Sequence, residues 1–332
     1  FFLFSFYNNT TININQAGPP SPGCFPIKSD RQGGIDLKEA LLIYNPTSGK
    51  GQLPGSLSPV LDVFTKAGGL VTVYPTQCKG DAVRAAKELG PRFQRVGCAG
   101  GDGTLSETVT GLMELSAPPM LGYIPSGSTN DCATTLNLPR SPIKSAAVAA
   151  GEGEPFHIDI GKLNGQPFVY VAAFGAFTHV AYATPQDLKN TFGHLAYVVE
   201  GIASLPTISP YHLKVEYDGQ VLEDDFYFGM VRNALSIGGI KLPQQDVELD
   251  DGLFEVDLVK KPVSLADVTD GFQTLFAQNP VGAGSRIHFQ ASQLTFSSDQ
   301  PIPWTIDGEY GGDQLVNQVV NCRQALTVIR GK

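Results

Sequence analysis

Val96-Gly97-Cys98-Ala99 runs straight into Gly100-Gly101-Asp102-Gly103-Thr104 and on to Leu105-Ser106-Glu107-Thr108-Val109. An apolar run closed by paired glycines reads as a buried parallel strand that ends in a turn. Leu105, Val109 and Leu112 then recur at helical spacing, so a helix is expected to start just past Thr104. Strand, glycine turn and helix N-terminus are how an α/β sheet offers main-chain N–H groups to a phosphate. Asp102 is the odd member. A carboxylate among such amides repels a nucleotide unless a cation lies between them, which points to Mg²⁺ held directly or through water. The plain alternative is an acidic N-cap in an ordinary glycine turn.

The pattern recurs on either side. Leu41-Leu42-Ile43-Tyr44 is a short apolar strand that ends in Asn45-Pro46-Thr47-Ser48-Gly49-Lys50-Gly51. This loop resembles a P-loop without being one. No glycine stands five residues before Gly49, and Gly51 fills the Ser/Thr place. Thr47, Ser48 and the loop amides suit a second phosphate or adenosine contact, or simply a polar βα loop. A helix over 57–66, a strand over 70–74 with Thr76 beyond it, and a helix opened by Asp81 follow. Strand Leu121-Gly122-Tyr123-Ile124 then leads through Pro125-Ser126-Gly127-Ser128-Thr129-Asn130-Asp131 into a helix carrying Cys132, Ala133 and Leu136. In a parallel sheet these strand ends share the side where ligands bind.

Near residue 150 the texture changes. An alanine-rich helical run over 145–150 stops at Gly151-Glu152-Gly153. Period-2 segments follow at 156–160, 167–172, 213–217, 226–231, 254–259 and 294–296, many separated by Gly, Asn or Asp. This half reads as an antiparallel β domain of two packed sheets, with helices over 188–205 and 265–276. Two acidic turns stand out in it. Glu248-Leu249-Asp250-Asp251-Gly252-Leu253 could wrap a cation with main-chain carbonyls or be a solvated hairpin turn. Ile306-Asp307-Gly308-Glu309-Tyr310-Gly311-Gly312 is the other.

A net charge of −9, from 23 basic and 32 acidic residues, argues against nucleic acid as a partner and against strong adhesion to anionic lipid. Any membrane contact is expected to be apolar, local and transient. The five cysteines are scattered and never spaced C-x-x-C, which fits a reduced cytoplasmic setting without a zinc site. No run is long enough to span a bilayer, and the apolar start over 1–6 lacks the basic flank of a signal peptide. Residues 1–36 read as a mobile or non-native extension.

In order, N-P-x-S-G, G-G-D-G-T, P-x-G-[ST]-x-N-D, D-D-G-[LYF] and D-G-E resemble the soluble bacterial diacylglycerol kinases, within the superfamily of sphingosine and ceramide kinases. The likeness runs from about Leu41 to Ile329. GGDGT is shared with NAD kinases; the later segments make the lipid-kinase likeness specific. The resemblance implies an α/β nucleotide-binding domain with a parallel, Rossmann-like sheet over 37–150, completed by 322–332. A mostly antiparallel β-sandwich over 151–321 would take the lipid. It also implies that Asn45, Pro46, Thr47, Ser48, Gly49, Thr76, Gly100, Gly101, Asp102, Gly103, Thr104, Leu105, Ser106 and Ser128 line an ATP site. The family usually has Thr at the Ser128 position. A Mg²⁺ site maps to Glu248 and Leu253 through carbonyls and Asp251 through its carboxylate, and Glu309 falls at the family's proposed general base.

The expected reaction moves the ATP γ-phosphoryl group to a primary lipid hydroxyl, with diacylglycerol giving phosphatidic acid. The protein would meet its lipid peripherally, at the inner face of the membrane. Glu309 and Asp102 are the catalytic candidates, and which of them is the base stays open. So does a homodimer. The rivals are a kinase of a soluble dinucleotide and a catalytically silent nucleotide- or lipid-binding protein.

Overall fold

The apolar runs form parallel strands. In the computed structural model, which describes residues 38–49, 53–175, 210–242, 247–260 and 286–332, β1 (Lys38–Tyr44), β2 (Gly69–Pro75), β3 (Arg95–Gly100) and β4 (Met120–Pro125) lie in the order β2-β1-β3-β4. Each adjacent pair is parallel. The inner strands are buried on both faces, which is why they read as continuous apolar runs and not as alternation. Leu41, Ile43, Val96 and Cys98 enter one core with Ala82, Ala85, Leu105, Val109 and Leu112. Leu42, Ala99 and Ile124 enter another with Leu53, Val60, Phe64 and Ala146. Thus α2 (Asp81–Leu89) and α3 (Asp102–Leu112) cover one face, while α1 (Leu53–Lys66) and α5 (Pro142–Ala147) cover the other. The short α4 (Asp131–Thr135) follows β4.

Helix α3 begins earlier than the apolar spacing suggests. Gly101 takes the N-cap place in an extended conformation, and the Leu105 amide donates to its carbonyl at 3.1 Å. Asp102 and Gly103 therefore sit in the first helical turn.

The second half comprises β5 (Glu154–Leu163), β6 (Gln166–Phe168), β7 (Val171–Gly175), β8 (Tyr211–Tyr217), β9 (Gln220–Arg232), β10 (Ser236–Ile237), β11 (Ile240–Lys241), β12 (Phe254–Lys260), β13 (Arg286–Ala291), β14 (Gln293–Ile306) and β15 (Glu309–Arg330). It departs from two separate packed sheets. Apart from the β10–β11 hairpin, the described strands of both halves belong to one 13-stranded sheet. Strand β14 pairs with β8 near Leu294 and with β7 near Trp304, and both of those pair with β9, so the ribbon closes on itself. Register shifts between Ser297 and Ile302 and between Trp304 and Thr305 let β14 serve both layers. Phe168, Phe174, Phe226, Phe254, Phe296 and Trp304 fill the space enclosed. The helices expected over 188–205 and 265–276 lie outside the described residues.

Strand β15 ties the halves together. It leaves the β14 hairpin antiparallel, runs along β5, and ends parallel to β4, with Val328 opposite Leu121. Among the described residues, no helix is long and apolar enough to cross a membrane.

Candidate active site

Three loops meet at the strand ends. The loop after β1 is organised by Asn45, whose Oδ1 accepts from the Thr47 amide and hydroxyl at 2.9 Å each. Its Nδ2 donates to Thr104 Oγ1 at 3.2 Å. Ser48 Oγ and Ser126 Oγ lie 2.5 Å apart and join the first loop to the third. The third loop is clamped by Asn130, whose Oδ1 accepts from the Gly127 amide and whose Nδ2 donates to the Gly127 carbonyl, both at 2.8 Å. Gly101 and Gly127 pass so close that a Cβ on Gly127 would stand 2.6 Å from Gly101 Cα. Only hydrogen fits there.

Around these loops lies a cleft of about 710 Å³. Its lining includes Asn45, Thr47, Ser48, Gly49, Thr76, Gly101, Asp102, Gly103, Thr104 and Ser128, as the motifs suggest. Four other expected members are not on that wall. Gly100 lies under the Thr104 side chain, which occupies the place its Cβ would take. Pro46 stays in the loop but off the lining. Leu105 is buried in the core with Val109 and Leu112. Ser106, one residue further round the helix, turns to the β-rich half, and its Oγ donates to Asp307 Oδ2 at 2.8 Å. The lining adds Gln77, Cys78, Lys79, Glu107, Gly127 and Thr129. No motif pointed to the Gln77-Cys78-Lys79 group, because the lone Gly80 that follows it does not make a paired-glycine turn.

The Asp102 carboxylate accepts from the main-chain N–H groups of Asp131 at 3.1 Å and Cys132 at 3.3 Å, at the start of α4. Burial first, and then the Asp131 carboxylate, push its pKa up to about 6. Asp102 is thus not the N-cap of its own turn, a place Gly101 holds; its carboxylate meets the start of α4 instead, and a divalent cation would relieve a carboxylate held in this state.

The second acidic turn is a two-residue hairpin. Asp307 and Gly308, at φ 49 and 83, connect Ile306 to its partner Glu309. Both left-handed positions suit the Asp-Gly pair. Asp307 is 5% exposed and accepts from the amides of Val169, Tyr170 and Val171 at 2.8, 3.0 and 3.2 Å. That arrangement interrupts the strand expected over 167–172. Its pKa is raised, chiefly by burial. Glu309 projects the other way and meets the cleft: Lys79 Nζ donates to Glu309 Oε2 at 2.8 Å. The contact raises the lysine pKa through that hydrogen bond.

The first acidic turn lies apart, held by β5 and β15. Asp159 accepts from the Gly252 amide at 2.7 Å and the Gln324 amide at 2.6 Å. Asp251 Oδ1 accepts from the Leu253 amide at 2.8 Å, the Leu253 carbonyl accepts from Asn321 Nδ2 at 3.3 Å, and Glu248 is exposed. One carboxylate and two carbonyls are hard oxygen donors suited to Mg²⁺. Among the described residues, no three His, Cys, Asp or Glu side chains gather in metal-binding geometry. Cys78, Cys98, Cys132 and Cys322 are free thiols.

Residues 39–163 match the model of the diacylglycerol kinase catalytic domain. Residues 171–330 match the YegS C-terminal NAD kinase beta sandwich-like domain. A Bacillus subtilis (strain 168) protein named diacylglycerol kinase is 36% identical over 297 residues, covering 89% of this chain and 97% of its own. The chain belongs to the diacylglycerol kinase family. Its relative of the same name in Staphylococcus carnosus (strain TM300) is 35% identical over 296 residues, 89% of this chain and 96% of the other. A Bacillus anthracis (strain Sterne) structure assigned to the diacylglycerol kinases superposes with a TM-score of 0.76 at 26% identity, over 89% of this chain and 98% of that one. The chain is therefore a kinase.

Proposed function

We propose that this kinase transfers the γ-phosphoryl group of ATP to the primary hydroxyl of a lipid, diacylglycerol in the first instance, giving phosphatidic acid. The observation that carries the reading is the ion pair between Glu309 and Lys79, because it sets a carboxylate from the β-rich half at the rim of the glycine-lined cleft. Phosphoryl transfer depends mainly on positioning and charge neutralisation, and these parts supply both.

The free amides of the first turn of α3 and the loops around Gly49 and Gly127 would hold the phosphates. Fit to a nucleotide rests on two features: Gly101 and Gly127, lacking Cβ atoms, let the second and third loops close together beside the cleft, and the Cβ position of Gly103 opens on nothing within 4 Å. Asp102, with its raised carboxyl, would hold Mg²⁺ directly or through water, and the turn of Glu248, Asp251 and Leu253 would hold a structural Mg²⁺. When bound, the ion supplies neutralisation of phosphate charge. Glu309 would orient the acceptor hydroxyl and take its proton as the oxygen bonds to phosphorus and ADP departs. Ser106 and Asp307 would keep the hairpin bearing Glu309 against α3. The acceptor would be presented at a membrane surface that the protein meets peripherally, on the cytoplasmic side.

The test is a radiolabelled-ATP assay against mixed micelles of diacylglycerol, monoacylglycerol, a sphingoid base or phosphatidylglycerol, with NAD in detergent-free buffer as the control. Label is expected in the diacylglycerol fraction. Label in NAD alone, or bound ATP with no transfer to any acceptor, would refute the reading.

A further inference from the structure

We propose that Lys79 is a phosphate-side positioning residue that Glu309 holds while the cleft is without nucleotide. On arrival of the γ-phosphate the ammonium exchanges the carboxylate for the phosphate, and Glu309 becomes available to the acceptor hydroxyl. The proposal rests on the kinase reading above and adds an order of events to it.

Three observations lead here. Among the described residues lining the cleft, Lys79 is the sole cation, against Asp102 and Glu107 on the same lining. A polyanion entering that lining needs a positive partner from the chain, and a lysine serves as a point charge for phosphate. Next, the loop that carries Lys79 is pinned at both ends. Gln77 donates its amide to Asp81 Oδ2 at 2.9 Å, and Gly80 donates its amide to Glu107 Oε1 at 2.8 Å. The pinned backbone keeps Lys79 beside α3 whatever its side chain does. Finally, the side chains of Lys79 and Glu309 are 80% and 62% exposed. An ion pair so open to water is weak, so either group can leave it for a better partner. A multiply charged phosphate is such a partner for the ammonium.

The balance of the chemical step is unaltered. Lys79 remains protonated throughout, the hydroxyl proton passes to Glu309, the new oxygen–phosphorus bond forms, and the bond to the ADP oxygen breaks.

A double-mutant cycle read by calorimetric binding of a non-hydrolysable ATP analogue, with Mg²⁺ present, tests the exchange. Glu309→Gln should tighten binding about two- to fivefold in the wild-type background, the range an exposed ion pair spans. In the Lys79→Met background it should change binding by less than that. Lys79→Met alone should weaken binding about tenfold and raise the ATP KM more than it lowers kcat, while Lys79→Arg should stay within about twofold of wild type, on the scale of one charge-assisted contact. Equal tightening by Glu309→Gln in both backgrounds would overturn the proposal, since through-space repulsion then suffices. So would wild-type affinity in Lys79→Met. If wild type itself takes up no nucleotide, the kinase reading fails together with this one; uptake with an additive cycle removes this proposal alone.

Discussion

Replacing Asp102 by Asn should stabilise the protein at alkaline pH while disabling it as a kinase. The carboxyl titrates at about 6 instead of 3.8, because it is buried and because Asp131 faces it. At roughly 1.36 kcal/mol per unit, the ionised group costs the folded state about 3 kcal/mol. The folded value lies above the unfolded one. The folded protein therefore holds an extra proton between about pH 4 and 6, and stability falls as the pH rises through that window. Asparagine carries no charge and escapes the loss. It gives part back, since its amide nitrogen would face one of the two main-chain donors at 3.1 and 3.3 Å, at about 1–2 kcal/mol. The net expectation at pH 8 is about 1–2 kcal/mol of added stability, shrinking towards zero near pH 4.5. Urea unfolding of both proteins at the two pH values measures it, with equal slopes required for the comparison. A variant less stable than wild type at pH 8, or a gap that ignores pH, would refute burial as the source of the shift.

Other substitutions address separate parts of the site. Gly127→Ala forces apart two loops whose close approach leaves 2.6 Å for the new methyl; ATP affinity should fall about tenfold or more, and unchanged calorimetric binding would clear the contact of any role. Ser106→Ala removes the donor to Asp307 and should lower unfolding stability by about 1–3 kcal/mol, with an unmoved denaturation midpoint as the contrary result. Glu309→Gln should lower kcat by roughly 10²–10⁴; a wild-type kcat would shift the base role to Asp102. Asp251→Asn should raise the Mg²⁺ concentration needed for half-maximal activity, and an unshifted titration would favour a plain hairpin turn.

The parallel half was legible because its strands are buried on both faces, so their apolar runs stop where the glycines begin. Position along the motif was a poorer guide to which way a side chain faces. Leu105 and Ser106 follow GGDGT directly, yet the helix turns one into the core and the other to Asp307. The reason is helical phase: Leu105 shares the buried stripe of Val109 and Leu112, and Ser106 lies one position further round the helix. Alternation along β14 announced a strand but not that its two ends serve different layers, because a bend leaves period-2 patterning unchanged. Lys79 was invisible for another reason. Its partner lies 230 positions away, and an exposed lysine in a polar loop has no local signature.

The course of β15 bears on how the protein can be taken apart. One strand starts beside the Asp307-Gly308 hairpin and finishes as the outer neighbour of β4, whose far end opens into the Gly127 loop. Removing its last turns would strip an edge from the glycine-loop half as well as from β5. Chimaeras between relatives must therefore carry this terminal segment with both parents in mind, and a swap at the midpoint of the chain should yield a hybrid with mismatched seams.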